Sequence, residues 1–359
     1  MHYSTGICAM DLGIKKVRAI FARLGICGFL LGAFLGIAHA ATPSAVRAGI
    51  GAAYVNGHPN AFYQGFDGNL WTNVWVGSGW QLQNLGAPSS TVSIDSGIGV
   101  TVDNGTYMKV FVKGSDGNLW LNYWSGSAWV WQNLGMPIGS GIAGPAGLTV
   151  DPGTNFVKVF VKGTDGNLWL NFWNGSRWIW QKLGTPAGVV VDKAAGATVD
   201  SGTYAKVIIK GSDGNLWLDY WNGSSWTWQK LGTPPSASID ALMGVTVDSG
   251  HYVKVFVKSD DGNLWLNFWN GSSWVWQNLG KPTGALLGSP IGVTVDGTNY
   301  VKVYVTGSDG NLWLVYWSGS GWIWENLGIP GAAGIAGAVG GSLNAGKPFV
   351  YLKIGRAHV

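Results

Sequence analysis

The chain reads as an all-β protein, a β-propeller of four-stranded antiparallel blades, six complete and a seventh truncated. Three observations predict this. The pentapeptide Asp-Gly-Asn-Leu-Trp occurs six times, starting at Asp67, Asp116, Asp165, Asp213, Asp261 and Asp309, with copies 48 or 49 residues apart, a period typical of blades. Between the copies run short alternating segments broken by Gly-rich turns. All 23 tryptophans fall into four columns of that repeat.

Residues 1–40 read as a secretory signal peptide. Lys15, Lys16, Arg18 and Arg23 form a basic segment, residues 24–37 are apolar but short for a membrane span, and Ala38-His39-Ala40 supplies a small-x-small cleavage site. The expectation is a secreted chain beginning at Ala41, with no membrane insertion once the leader is cleaved. Cys8 and Cys27, the two cysteines, both lie in the leader, so the exported chain has no disulfide to rely on. Most of the excess of 22 basic over 18 acidic side chains also belongs to the leader. The remainder is close to neutral without a Lys/Arg run, which argues against nucleic acid and anionic membrane as partners.

A single domain over 41–353 follows, with blades expected at 49–86, 97–135, 146–184, 195–232, 243–280 and 291–328 and a partial one at 337–353. Connections such as 139–147 and 331–341 read as Gly/Ala-rich loops. In the second repeat, Val100-Thr101-Val102 is a β-branched run and Asp103-Asn104-Gly105-Thr106 a hairpin turn. Tyr107 to Lys113 alternates, Gly114-Ser115-Asp116-Gly117 turns the chain, and Asn118 to Trp124 alternates again. Ser125-Gly126-Ser127-Ala128 is the third turn, and Trp129 to Leu134 the fourth strand.

Four-residue second and third turns would place Lys109 opposite Asn122, Phe111 opposite Trp120, Asn122 opposite Trp131 and Trp124 opposite Trp129. That register predicts one face of aromatic, Lys and Asn side chains and a reverse face of Met108, Val110, Val112, Leu119, Leu121, Tyr123 and Val130. Lys109, Asn122 and Trp131 then lie side by side, an ammonium, an amide and a stacking platform, which is the combination a sugar needs for its hydroxyls and its apolar C–H patch.

With the Trp129 and Trp131 columns at the splayed rim, the candidate ligand-binding sets are Lys109, Asn122, Trp129 and Trp131; Lys158, Asn171, Trp178 and Trp180; Lys206, Asp219, Trp226 and Trp228; and Lys254, Asn267, Trp274 and Trp276. The sixth blade keeps Lys302 and Trp324 but has Val315 for the amide, and the first has Asn60, Asn73 and Leu82. The Trp120 and Trp124 columns read as interblade core.

An enzyme should show its acids and bases. Glu325 is the only glutamate, His58 and His251 do not recur, and eleven aspartates open turns, where a short carboxylate caps backbone. No blade offers the two differently tuned carboxylates of a glycosidase, and one carboxylate per turn is thin for calcium. No catalytic group, metal or cofactor is therefore expected. A protein-interaction or adhesin scaffold and an atypical glycoside hydrolase are the alternative classes.

Gly346 to Lys353 matches the second strand of the earlier repeats. Ile354 then stands where Gly114 and its equivalents turn the chain, and residues 354–359 resemble one translated frame of a sequencing-library adapter. The expectation is an interrupted seventh blade, a two-stranded sheet in an incompletely sealed ring.

The stretch Val110-Phe111-Val112-Lys113-Gly114-Ser115-Asp116-Gly117-Asn118-Leu119-Trp120, closed by Trp131-Gln132-Asn133-Leu134-Gly135, resembles the repeat of the PLL-like lectins over residues 49 to 353. The resemblance implies a secreted seven-bladed propeller binding fucose or related glycans and glycoconjugates at several sites between blades. The chain departs from the family pattern after the motif's first Trp, with Leu121, Leu170, Leu218, Leu266 and Leu314 where polar residues are common.

Overall fold

The Asp-Gly-Asn turn decides how each blade folds back on itself. In the computed structural model, which describes residues 7–11, 46–103, 106–200, 204–248, 252–298, 300–329, 335–344 and 347–354, Asp116 Oδ1 accepts the backbone N–H of Asn118 at 3.1 Å. Its carboxylate also accepts the Asn118 side-chain amide and the Trp120 indole N–H. Gly117 takes a φ of 82°, and the Gly114 N–H donates to the Asn118 carbonyl at 2.9 Å. The loop therefore holds three residues, closed by a glycine in the left-handed region.

One residue fewer in that loop inverts the parity of the second strand against the third. Lys109 pairs with Tyr123, Val110 with Asn122, Phe111 with Leu121 and Val112 with Trp120. The third turn keeps the expected register, with Asn122 opposite Trp131 and Trp124 opposite Trp129. The shared Lys–Asn–Trp face is thus overturned: Lys109 lies on one side of its sheet and Asn122 and Trp131 on the other. Lys158, Lys206 and Lys254 are separated from Asn171, Asp219 and Asn267 in the same way.

Six four-stranded antiparallel sheets follow one another as blades of a ring. The second is built from Ile94–Asp103, Tyr107–Gly114, Leu119–Trp124 and Trp129–Asn133. Inner strands begin earlier than expected, so part of the 139–147 connection is strand: Ile142–Val150 is interrupted by register shifts at Ile142/Gly144 and Pro145/Gly147. Such bulges erase the period-two pattern that identifies a strand in sequence. Gly147, with φ 129°, shows what the axis demands, because a Cβ there would stand 2.4 Å from the Ala197 backbone nitrogen of the next blade.

The seventh sheet also differs from expectation. Ile335–Asn344 and Lys347–Ile354 pair antiparallel, Ile354 continues the strand, and Ile7–Asp11 of the expected leader adds a third strand along the outer edge. An unpaired sheet edge has backbone groups to satisfy, and a short apolar segment satisfies them. Ile335–Asn344 lies beside Val46–Val55, so the ring of inner strands closes. The rest of the leader, including its cleavage site, and residues 355–359 fall outside the described residues.

Opposite faces of consecutive blades make the core. Phe111, Leu119 and Leu121 of the second blade pack on Val157, Val159, Val161 and Trp169 of the third, and the Phe111 ring meets Trp178 edge-on at 5.7 Å. Trp180 secures the same seam by donating its indole N–H to the Leu134 carbonyl at 2.9 Å.

Candidate functional site

Because one face carries lysine and the other tryptophan, these groups meet across a seam and not within a blade. The seam between the fifth and sixth blades opens at its rim into a cavity of about 390 Å³. The fifth blade contributes Asp248, Tyr252, Lys254, Phe268 and Gln277, and the sixth contributes Tyr300, Trp317 and Trp322. The pocket sits at the end of the ring that holds the first and third turns, opposite the Asp-Gly-Asn turns.

The second strand places Lys254 two residues from the core ring of Phe256, so the ammonium emerges where the blades splay. It donates to Asp248 Oδ2 at the head of the same hairpin, and its Nζ stands 5.6 Å from the Phe268 ring centroid. Asp248 Oδ1 accepts the Tyr252 backbone N–H at 2.9 Å. Gln277, opposite Leu266 in the register and exposed, adds an amide to the same face. From the sixth blade, Trp322 is held edge-on by Phe256 at 5.8 Å and by Trp317 at 5.7 Å. The result is a pocket with a charged donor–acceptor pair, one free amide and aromatic walls.

The predicted residues divide by column. Lys109, Lys158, Lys206 and Lys254 all reach the rim and pair with Asp103, Asp151, Asp200 and Asp248. Trp178, Trp226 and Trp274 occupy the place of Trp322 in the seams they form with the preceding blades, half-buried against an aromatic neighbour. Trp129 does the same at the first seam. Trp131, Trp180 and Trp276 lie deeper, their indole N–H spent on Leu85, Leu134 and Leu231 carbonyls of the preceding blade. Trp228 makes no such bond.

Asn122, Asn171, Asp219 and Asn267 are completely buried and find no hydrogen-bond partner, so the amide column is sealed away from the rim. Burial pushes the Asp219 carboxyl up to about 7. The sequence reading missed the Gln132, Gln181, Gln229 and Gln277 column, the Tyr123, Phe172, Tyr220 and Phe268 column, and the Asp partners of the lysines. A three-residue loop at Asp-Gly-Asn would have put all of them beside the lysine.

The Trp120 column is structural as expected, though its polar handle was not foreseen. Trp71, Trp169, Trp265 and Trp313 are buried and donate their N–H to Asp67, Asp165, Asp261 and Asp309. Among the described residues no three His, Cys, Asp or Glu side chains are grouped to hold a metal ion. The rim has the means to bind a neutral polyol with an apolar face, through ion-pair hydrogen bonds and stacking.

No protein-family model matches the chain, and no curated protein matches it in sequence. Solved structures do. The BP39L lectin from Burkholderia pseudomallei superposes with a TM-score of 0.58 at 18% identity, covering 87% of this chain and 98% of that one. The SapL1 lectin in complex with alpha methyl fucoside gives 0.50 at 19% identity, over 79% and 96%. A mutant of AofleA from Arthrobotrys oligospora gives 0.50 at 13% identity, over 87% and 91%. At these identities the likeness establishes the shared propeller fold.

Proposed function

We propose that the chain is a secreted, non-catalytic carbohydrate-binding propeller whose ligands enter the rims of the seams between blades. The observation that carries this reading is the fifth-to-sixth seam pocket, where Lys254, Asp248 and Gln277 face Trp317 and Trp322 across an aromatic-walled opening. The set recurs as Lys109, Asp103, Gln132, Trp173 and Trp178; as Lys158, Asp151, Gln181, Trp221 and Trp226; and as Lys206, Asp200, Gln229, Trp269 and Trp274. Four equivalent seams favour weak, multivalent engagement of a glycan-bearing surface, in which avidity exceeds the affinity of any one pocket. Two neighbours in fold are named as lectins, one of them holding a methyl fucoside, so a fucose-type glycan or related glycoconjugate is the first ligand to try. A seven-bladed, PLL-like architecture and removal of the leader on export belong to the same reading; removal would take Ile7–Asp11 with it and leave Lys347–Ile354 as the outer strand of the seventh sheet.

A scaffold reading draws support from the other end of the ring, where Ile138, Leu286 and Phe66 project into solvent. A glycan array separates the two. The sugar reading expects binding that a combined Trp178→Ala, Trp226→Ala, Trp274→Ala and Trp322→Ala variant loses while keeping its β-sheet spectrum. Absence of binding by the unaltered protein, or retention by the folded variant, would refute it.

A further inference from the structure

The fourth blade departs from its neighbours at one buried position. Where the second, third and fifth blades carry Asn122, Asn171 and Asn267, it carries Asp219, equally inaccessible to solvent. Neither carboxylate oxygen has a hydrogen-bond partner, and neither does the indole N–H of Trp228, the residue paired with Asp219 across the sheet. In the second, third, fifth and sixth blades the equivalent indole clasps the preceding blade, as Trp324 does through the Leu279 carbonyl at 2.8 Å. The seam between the third and fourth blades thus contains an unpartnered acid and an unmade clasp together.

We propose that Asp219 is a proton-sensing residue that makes this one seam of the ring tight when the carboxyl is protonated and loose when it is ionised. The surroundings leave little alternative for a charge. In its own sheet Asp219 lies between Val207 and Trp228, and the face packed against it carries Phe160, Leu168, Leu170 and Phe172. An ionised carboxylate in such a place costs far more than a neutral one.

The charged groups bordering the seam are already engaged. On the third blade Lys158 is paired with Asp151, and Lys162 donates to the Asp192 backbone carbonyl at 3.1 Å. On the fourth blade Lys230 is drawn to Asp213 at the turn end, 3.6 Å away. Desolvation therefore dominates, and the interaction with the Tyr220 backbone N–H offsets only part of it. The sign follows: an acid that holds its proton more tightly when folded makes stability fall as pH rises from the ordinary carboxylate range through about 7, and level off above.

The test is thermal and denaturant unfolding of the full chain between pH 5 and 8.5, comparing wild type with Asp219→Asn and with Asn171→Asp. Asn at this place serves four other blades, as Asn73, Asn122, Asn171 and Asn267, so Asp219→Asn is expected to fold. It should gain stability over wild type by a margin that widens towards pH 7 and then holds, up to about a thousandfold in the folded-to-unfolded ratio. Asn171→Asp should import the same pH-dependent loss into the second-to-third seam. Parallel pH profiles for wild type and Asp219→Asn, or an Asn171→Asp variant whose loss does not vary with pH, would overturn the proposal.

Discussion

The first and fifth seams of the ring are packed alike and equipped differently. Both hold an edge-on pair, Phe62 with Trp129 at 5.7 Å and Phe256 with Trp322 at 5.8 Å. Each seam is also clasped by an indole, Trp131 to the Leu85 carbonyl at 3.0 Å and Trp324 to the Leu279 carbonyl at 2.8 Å. Yet the first blade has Val55 and Asn60 where the fifth has Asp248 and Lys254. Asn60 is buried and turns its amide to the His58 carbonyl at 2.8 Å. Blade-to-blade adhesion is thus independent of the rim ion pair, and the two duties assigned to tryptophan, cohesion and contact with a ligand, are separable by seam.

That comparison breaks most visibly if the cores prove unequal. Phe62→Ala and Phe256→Ala should each cost about 3–5 kcal/mol in denaturant unfolding, because each empties a fully buried aromatic site; a large disparity would mean that the seams are not packed alike. Removing the clasp alone is a gentler probe. Trp131→Phe and Trp324→Phe should each lose about 1–2 kcal/mol, the cost of leaving a buried carbonyl without its donor.

Replacing the rim pair sharpens the contrast. Lys254→Met with Asp248→Asn should change stability by no more than about 1 kcal/mol, while titration with the best sugar of the array shows one binding event fewer. The smallest effect lies at the opposite end of the seam. Hydrogen bonds from Ser259, Asn263 and Trp265 outweigh desolvation and hold the Asp261 carboxyl down at about 2, below its ordinary 3.8. Its contribution is present above that ordinary value and is lost as pH falls towards 2. Asp261→Asn should therefore flatten the acid limb of the unfolding curve between about pH 4 and 2 and leave sugar binding at neutral pH unchanged.

How much of this was legible in the sequence depended on loop length. The blades and the pairing of Trp124 with Trp129 follow directly from spacing, because the third turn has an even number of residues and the alternating strands leave one register. The second turn misled because Gly114, read as turn, is the last paired residue of its strand. A three-residue loop instead of a four-residue one reverses every side chain on the sheet, and with it the composition of the site. Inner strands were shortened in the sequence reading because Gly97, Gly99, Gly144 and Gly147 interrupt alternation, although steric crowding at the axis requires some of them. In the repeat Asp219 is an equivalent of Asn122; only its burial shows that the exchange of an amide for an acid alters the seam.

The most direct test of the seam assignment compares one tryptophan column at two places. Trp129→Ala and Trp322→Ala remove side chains with the same packing partners, so they should destabilise the ring similarly. Calorimetric titration with a monovalent sugar should then show one site lost for Trp322→Ala and none for Trp129→Ala, since only the former faces a Lys–Asp pair. Equal losses, or none in either variant, would contradict the assignment of recognition to seams that carry that pair.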